Sequence, residues 1–259
     1  MLHLCSFREV PEDLRFQSGT AFRGPDEIHV WRIALDVSQS ELRALEAVLA
    51  PDERRRASHF VTRELGNRWT ACRGAVRMIL AAYSGSSAAD IVFATDGSGK
   101  PRLAGAASPV FNLSHTGAVA FAAVALREPL GIDAEVERAD IDWLEIGRRY
   151  FAPAEVEEIA ALPPSLRLRA GYACWTRKEA YLKALGTGLY AALDTFQVSV
   201  QPGEPPRLVH VAGDRDEPGR WTFVDLSEPD LAVTVVARTP RATVRRFTFA
   251  IPGVLHRTT

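Results

Sequence analysis

Asp133 and Glu135 stand two residues apart in Gly131-Ile-Asp133-Ala-Glu135, a segment with the pattern of a β-strand. Successive strand side chains alternate between faces, so both carboxylates point the same way. Two oxygen ligands on a rigid strand suit a hard cation such as magnesium. They equally fit two acids on a solvated strand face. A third acid, Glu179, lies downstream in Trp175-Thr-Arg-Lys178-Glu179-Ala-Tyr-Leu-Lys183. Taken alone it pairs with Lys183 at i, i+4, a contact worth about 0.3–0.5 kcal/mol on a helix surface. If its helix instead faces the strand, three carboxylates converge. At about 4 Å and an effective dielectric of about 20, each carboxylate pair repels by roughly 4 kcal/mol. A bound cation or raised pKa values must then follow, and Lys178 and Lys183 would face phosphate oxygens beyond the metal.

Those two lysines and Lys100, in the turn-like Gly99-Lys100-Pro101, are the only lysines among 31 basic residues. In a chain so biased toward arginine, a retained lysine marks a position that needs a compact ammonium rather than a planar guanidinium. Phe111-Asn-Leu-Ser114-His115-Thr116-Gly117 reads as a turn between strands. Such a turn presents N–H groups and hydroxyls suited to phosphate, or it satisfies its own backbone. Arg54-Arg55-Arg56 is the densest basic run and reads equally as a solvated helix face. Glu155, two residues after a helix-opening Pro153, fits an ordinary first turn. No Walker loop, dinucleotide fingerprint, GxSxG elbow or HExxH helix is present.

The elements that must position these residues follow from periodicity. Residues 1–25 show no period and read as an irregular lead-in. A strand over 28–35 precedes a short helix capped by Ser38 or Ser40 and ending at Leu49. A helical stretch opens at Pro51-Asp52 and runs to about Tyr83 with a break near Gly66. Strands follow at 91–94, 110–113 and 119–125, the last two as a hairpin around Ser114–Gly117. The second half repeats the order: a strand at 130–135, helices at 143–150 and from Pro153, and a longer helix over 166–185 stopped by Gly186 and Gly188. Strand-like runs occupy 196–200, 207–211, 221–226 and 231–237, and a fifth at 244–251 can close a sheet edge. Helix followed by antiparallel strands, twice over, predicts an α+β pseudo-dimer of two similar halves, 1–127 and 128–259. Each half would be an antiparallel sheet on a long helix. One undivided α+β domain is the alternative.

Composition narrows the class. At 259 residues, 47% hydrophobic and 24% charged, the chain can bury a substantial core as a globular protein. A formal net charge of -1 provides no global field for nucleic acid or an anionic membrane. Cys5, Cys72 and Cys174 are odd in number and lack zinc-site spacing, which points to a reducing compartment. No run approaches a membrane span, and Arg8, Glu9, Glu12 and Asp13 fall where a signal peptide needs its apolar centre. The expectation is a cytoplasmic protein.

In order and spacing these segments resemble the Sfp-type 4'-phosphopantetheinyl transferases, from about Pro51 to Val200. Three blocks carry the likeness. The first is Gly99-Lys-Pro101 with Phe111-Asn-Leu-Ser-His115. The second is Gly131-Ile-Asp-Ala-Glu135 with Arg149-Tyr-Phe151 and Glu155. The third is Trp175-Thr-Arg-Lys-Glu-Ala-Tyr-Leu-Lys183 with Gly186-Thr-Gly-Leu189. The resemblance implies a monomeric holo-[acyl-carrier-protein] synthase of two similar halves, with coenzyme A and the active site in the cleft between them. Such an enzyme transfers phosphopantetheine from coenzyme A to a serine of an acyl or peptidyl carrier protein, with 3',5'-ADP as coproduct. It implies that Asp133, Glu135 and Glu179 hold magnesium and that Lys178 and Lys183 face the pyrophosphate. Ser114 and His115 would contact the ADP part, His115 at the 3'-phosphate. Lys100 and Pro101 would line the adenine side, and Arg56 and Arg68 would meet nucleotide phosphates. Glu155 matches the position of a base for the serine hydroxyl. Glu53 departs from the pattern by standing where a basic residue often occurs, which leaves Arg54 or Arg55 to compensate. A magnesium-dependent hydrolase of coenzyme A or a nucleotide diphosphate could use the same groups, and so could a degenerate coenzyme A-binding scaffold.

Overall fold

The computed structural model describes residues 22–95, 97, 99–105, 109–187 and 192–251. Most of the expected lead-in, together with Gly188 and Leu189 of the third block, therefore lies outside the described residues. Strand β1 (Glu27–Ala34) leads to helix α1 (Gln39–Ala47), where Ser38 and Glu41 form a reciprocal capping box. The stretch beginning at Pro51 is two helices, α2 (Pro51–Ser58) and α3 (Arg63–Ser84). The break is not at Gly66. It falls before Thr62, whose hydroxyl accepts from the Leu65 N–H and starts α3 afresh. Gly66 serves contact instead, because a Cβ there would lie 2.7 Å from the Ala57 carbonyl oxygen of α2.

Strands β2 (Phe93–Thr95) and β3 (Pro101–Leu103) form a small hairpin ahead of β4 (Val110–Thr116) and β5 (Val119–Ala125). The turn between β4 and β5 is shorter than its sequence suggests. Ser114, His115 and Thr116 belong to β4 and pair with Phe121, Ala120 and Val119. After β6 (Leu130–Val136) come helices α4 (Trp143–Tyr150), α5 (Pro153–Ala161) and α6 (Pro164–Leu185). Gly186 ends α6 at φ 70°, the left-handed conformation that glycine tolerates best. Strands β7 (Phe196–Val198) and β8 (Leu208–Val211) pair together, followed by β9 (Thr222–Asp225), β10 (Leu231–Ala237) and β11 (Thr243–Thr248).

Two larger sheets result, ordered β11-β1-β5-β4 and β6-β10-β9. Strict alternation builds the layers. On β5, Ala120, Ala122 and Val124 face α3, while Phe121 and Ala123 face the other sheet. On β10, Ala232 and Val236 face the α6 side, while Val233 and Val235 meet Phe121 and Val30 in the shared core. Each sheet thus carries a long helix outside and apolar side chains inside, which explains why β5 and β10 are buried throughout. The fold is mixed α+β. The boundary at 127/128 is not clean, however. Strand β11, from the far end of the chain, runs parallel to β1 and closes the edge of the first sheet.

Candidate active site

Gly131 explains how the acids meet the lysines. A Cβ on it would lie 2.0 Å from the Ala180 carbonyl oxygen and 2.6 Å from the Ala184 nitrogen, so only glycine lets α6 lie directly on β6. Two residues along the strand, Asp133 meets Lys183 of that helix. Lys183 Nζ donates to Asp133 Oδ1 at 2.6 Å and to Ser114 Oγ at 3.1 Å. Ser114 Oγ in turn donates to the same Asp133 oxygen at 2.9 Å. Asp133, Glu135, Glu179, Trp175 and Lys183 line one cavity of about 320 Å³ together with Ser114 and His115.

Burial pushes the carboxyl of Asp133 above its ordinary range, against the pull of the Lys183 ammonium. Glu135 and Glu179 are pushed up too, first by burial and then by the Asp133 charge. Asp133 Oδ2 and Glu179 Oε1 are buried with no hydrogen-bond partner among the described residues. Two such oxygens in one cavity are a donor set of the hard-cation kind. Among the described residues no three His, Cys, Asp or Glu side chains stand close enough to hold a metal ion as they are. The residue types suit magnesium, which takes one or two carboxylates and completes its shell with water and substrate phosphate oxygens.

A second cavity of about 630 Å³ adjoins the first and shares Leu113 and His115 with it. Its walls join aromatic rings to guanidinium groups. Arg56 lies 5.5 Å from the Trp69 ring centre, and Arg73 lies 3.5 Å from that of Phe93. Arg68 lines it as well, held by Asp36 at 2.7 Å and Glu64 at 2.8 Å. Gly99 and Pro101 complete one side. Lys100 between them reaches the Leu130 carbonyl at 3.0 Å and so ties this loop to β6. Arg73, Trp69 and Phe93 are additions to the residues that sequence reasoning singles out. Trp69, Arg73 and Val76 fall at i, i+4 and i+7 on α3, and that helical stripe is a signal for the first two.

Four expectations are corrected. Lys178 does not share the cavity with Lys183. It is fully buried, donates to the carbonyls of Leu193 (2.7 Å) and Phe196 (2.6 Å), and pairs with Glu155 at 2.8 Å. Helical geometry explains the divergence, since five residues turn a side chain by about 140° around the axis, whereas four bring it back to within about 40°. Glu155 is 2% exposed and committed to Lys178, the Ala152 N–H and the Val198 N–H, so it cannot reach a substrate hydroxyl. Ser114 belongs to a strand and is committed to Asp133 and the Ala134 N–H. Finally, Arg54 does not replace a missing base at Glu53. It caps the Glu46 and Ala47 carbonyls of α1. Glu53 receives the Ala50 N–H and binds Arg73 and Arg77, which makes an acid the fitting residue there.

Comparison with known proteins identifies the family. The family model of the 4'-phosphopantetheinyl transferase superfamily matches residues 129–236, the segment that carries β6 and α6. The chain is 37% identical over 215 residues to the 4'-phosphopantetheinyl transferase HetI of Nostoc sp. strain PCC 7120, covering 82% of this chain and 87% of HetI. It is 27% identical over 202 residues to the transferase Sfp of Bacillus subtilis, covering 75% of this chain and 89% of Sfp. Among solved structures, holo-[acyl-carrier-protein] synthase of Thermotoga maritima aligns with a TM-score of 0.34 at 23% identity, over 43% of this chain and 63% of that one. The chain belongs to the 4'-phosphopantetheinyl transferase superfamily. It is an enzyme that transfers phosphopantetheine to carrier proteins, with coenzyme A as the donor.

Proposed function

We propose that coenzyme A lies across both cavities, its adenosine and 3'-phosphate in the larger one and its pyrophosphate in the smaller. The observation that carries this reading is the shared wall at Leu113 and His115, which joins an arginine-and-aromatic cavity to one lined by three carboxylates and Lys183. Stacking surfaces beside guanidinium groups suit a purine and its phosphates. His115 stands where the two parts of the ligand meet. Asp133, Glu135 and Glu179 would hold magnesium, and Lys183 would offset pyrophosphate charge. Bound there, the ion neutralises charge on the pyrophosphate and on the departing ADP.

In the reaction the carrier serine oxygen forms a bond to the phosphorus attached to pantetheine. The bond from that phosphorus to the bridging oxygen breaks, and 3',5'-ADP departs. The serine proton needs an acceptor inside the cavity. On this reading residues up to 127 supply the nucleotide side and those from 128 the pyrophosphate side, in a monomer whose two halves are related by duplication. Among the described residues no helix is long and apolar enough to cross a membrane.

Intact-mass spectrometry of an apo-carrier incubated with coenzyme A, magnesium and the protein tests the assignment. Wild-type protein adds one phosphopantetheine. Asp133→Ala and Glu179→Ala are each expected to slow that addition at least about a hundredfold while retaining the wild-type circular dichroism spectrum. Wild-type rates in either variant sink the metal assignment.

A further inference from the structure

Strands β4 and β6 are edge strands of different sheets, yet they run side by side in the same direction. What joins them is a row of side chains. Asn112 Oδ1 accepts from the Ile132 N–H at 2.9 Å, Ser114 Oγ from the Ala134 N–H at 3.2 Å, and Thr116 Oγ1 from the Val136 N–H at 3.1 Å. The spacing is constant: every second residue of β4 meets the N–H of the residue twenty positions later. Side chains on alternate strand residues share a face, so the three acceptors form one polar rail along the edge of β6. The rail supplies partners for N–H groups that a free strand edge would leave unmet.

The rungs alternate with the residues of the site. Asp133 and Glu135 fall between the three bonded N–H groups of β6, and His115 falls between Ser114 and Thr116 of β4. Two rungs also reach the acids themselves, Ser114 to Asp133 at 2.9 Å and Thr116 to Glu135 at 3.4 Å. A slip of β6 along β4 would therefore move both carboxylates relative to His115, which lines both cavities. We propose that Asn112, Ser114 and Thr116 form a side-chain ladder that holds Asp133 and Glu135 in register with His115, with Thr116 the positioning residue for Glu135. The proposal rests on the reading of those acids as metal ligands. It adds a positioning function for Asn112 and Thr116, which line neither cavity.

Thr116→Val keeps the shape of the side chain and removes the hydroxyl that accepts from the Val136 N–H and donates to Glu135. Two measurements on the whole protein decide the matter. Amide hydrogen exchange at Val136 is expected to accelerate about tenfold, the cost of one lost hydrogen bond. Mn²⁺ binding, followed by electron paramagnetic resonance without substrate, is expected to weaken about tenfold, as for other residues that orient metal ligands. Thr116→Ser should restore both, and Thr116→Ala gives a second reading should the valine variant fold poorly. Unchanged exchange at Val136 overturns the ladder. Faster exchange with wild-type Mn²⁺ binding reduces it to a joint of the fold and overturns the positioning role. A wild-type protein that binds no Mn²⁺ overturns the metal reading itself, and the positioning role with it.

Discussion

The two halves of the chain use one local device with opposite outcomes. In the first, Ala50-Pro51-Asp-Glu53 opens α2, and Glu53 caps the Ala50 N–H before reaching Arg73 and Arg77 on the following long helix. In the second, Ala152-Pro153-Ala-Glu155 opens α5, and Glu155 caps the Ala152 N–H before reaching Lys178 on its long helix. Proline at the first helical position and glutamate at the third make the same half of a capping box twice, the glutamate accepting the alanine N–H. The difference lies in the cation. Arg73 binds Glu53 with one edge of its guanidinium and still lies over Phe93 in the larger cavity. The Lys178 ammonium spends its donors on Glu155 and two carbonyls in a space closed to solvent. One clamp delivers charge to a cavity, and the other locks a helix in place. A cation's function is thus set by how many of its donors the protein consumes.

The sealed clamp should be the more fragile. Lys178→Met leaves the Glu155 carboxylate buried without its counter-ion, and a loss of about 3–5 kcal/mol in urea unfolding is expected. Pairing it with Glu155→Gln should recover part of that loss, and a loss below about 1 kcal/mol in the single variant would show the pair to be no lock.

The open clamp has a pH signature. Burial works to raise the Glu53 carboxyl, but hydrogen bonds from Arg77, the Ala50 N–H and Arg73 hold it below its ordinary value. A carboxyl lowered by folding stabilises the protein above its unfolded pKa of about 4.3 and loses that contribution as pH falls toward the folded value. Glu53→Gln is therefore expected to cost about 3 kcal/mol at neutral pH, and the gap to wild type should narrow below the ordinary carboxylate range. A gap that stays constant from pH 7 to 3 in chemical unfolding would contradict the clamp.

Lys183 marks the smallest expected change. Its side chain is 30% exposed, so Lys183→Arg should leave stability within about 1 kcal/mol of wild type. Turnover should fall by about tenfold or more, because a planar guanidinium cannot occupy the Asp133–Ser114 niche as a compact ammonium does. Near-native turnover would mean that lysine is not required there.

Much of this was legible in the residues. Gly131-x-Asp-x-Glu reads as a strand with two acids on one face, and both line the cavity. Glu179 and Lys183 share a helical face at i, i+4, and both line it too. The same rule separates Lys178 from them, a consequence of helical period that a shared motif conceals. Asn112, Ser114 and Thr116 alternate as strand residues should, but the short polar side chains of Ser114 and Thr116 and the following glycine read as a turn. Glu155 reads as a first-turn acid, and its capping bond bears that out.

Residue types and local period thus determined the mixed α+β elements and the acids of the cavity, because each depends on neighbours within a few positions, and the order of three motif blocks carried the likeness to the enzyme family. The crossing of β11 to the first sheet, the polar rail between β4 and β6, and the sealing of Lys178 against Phe196 were decided only by the tertiary structure. Each joins residues many positions apart, and nothing in the local pattern states whether a buried ammonium will meet a carbonyl or a substrate.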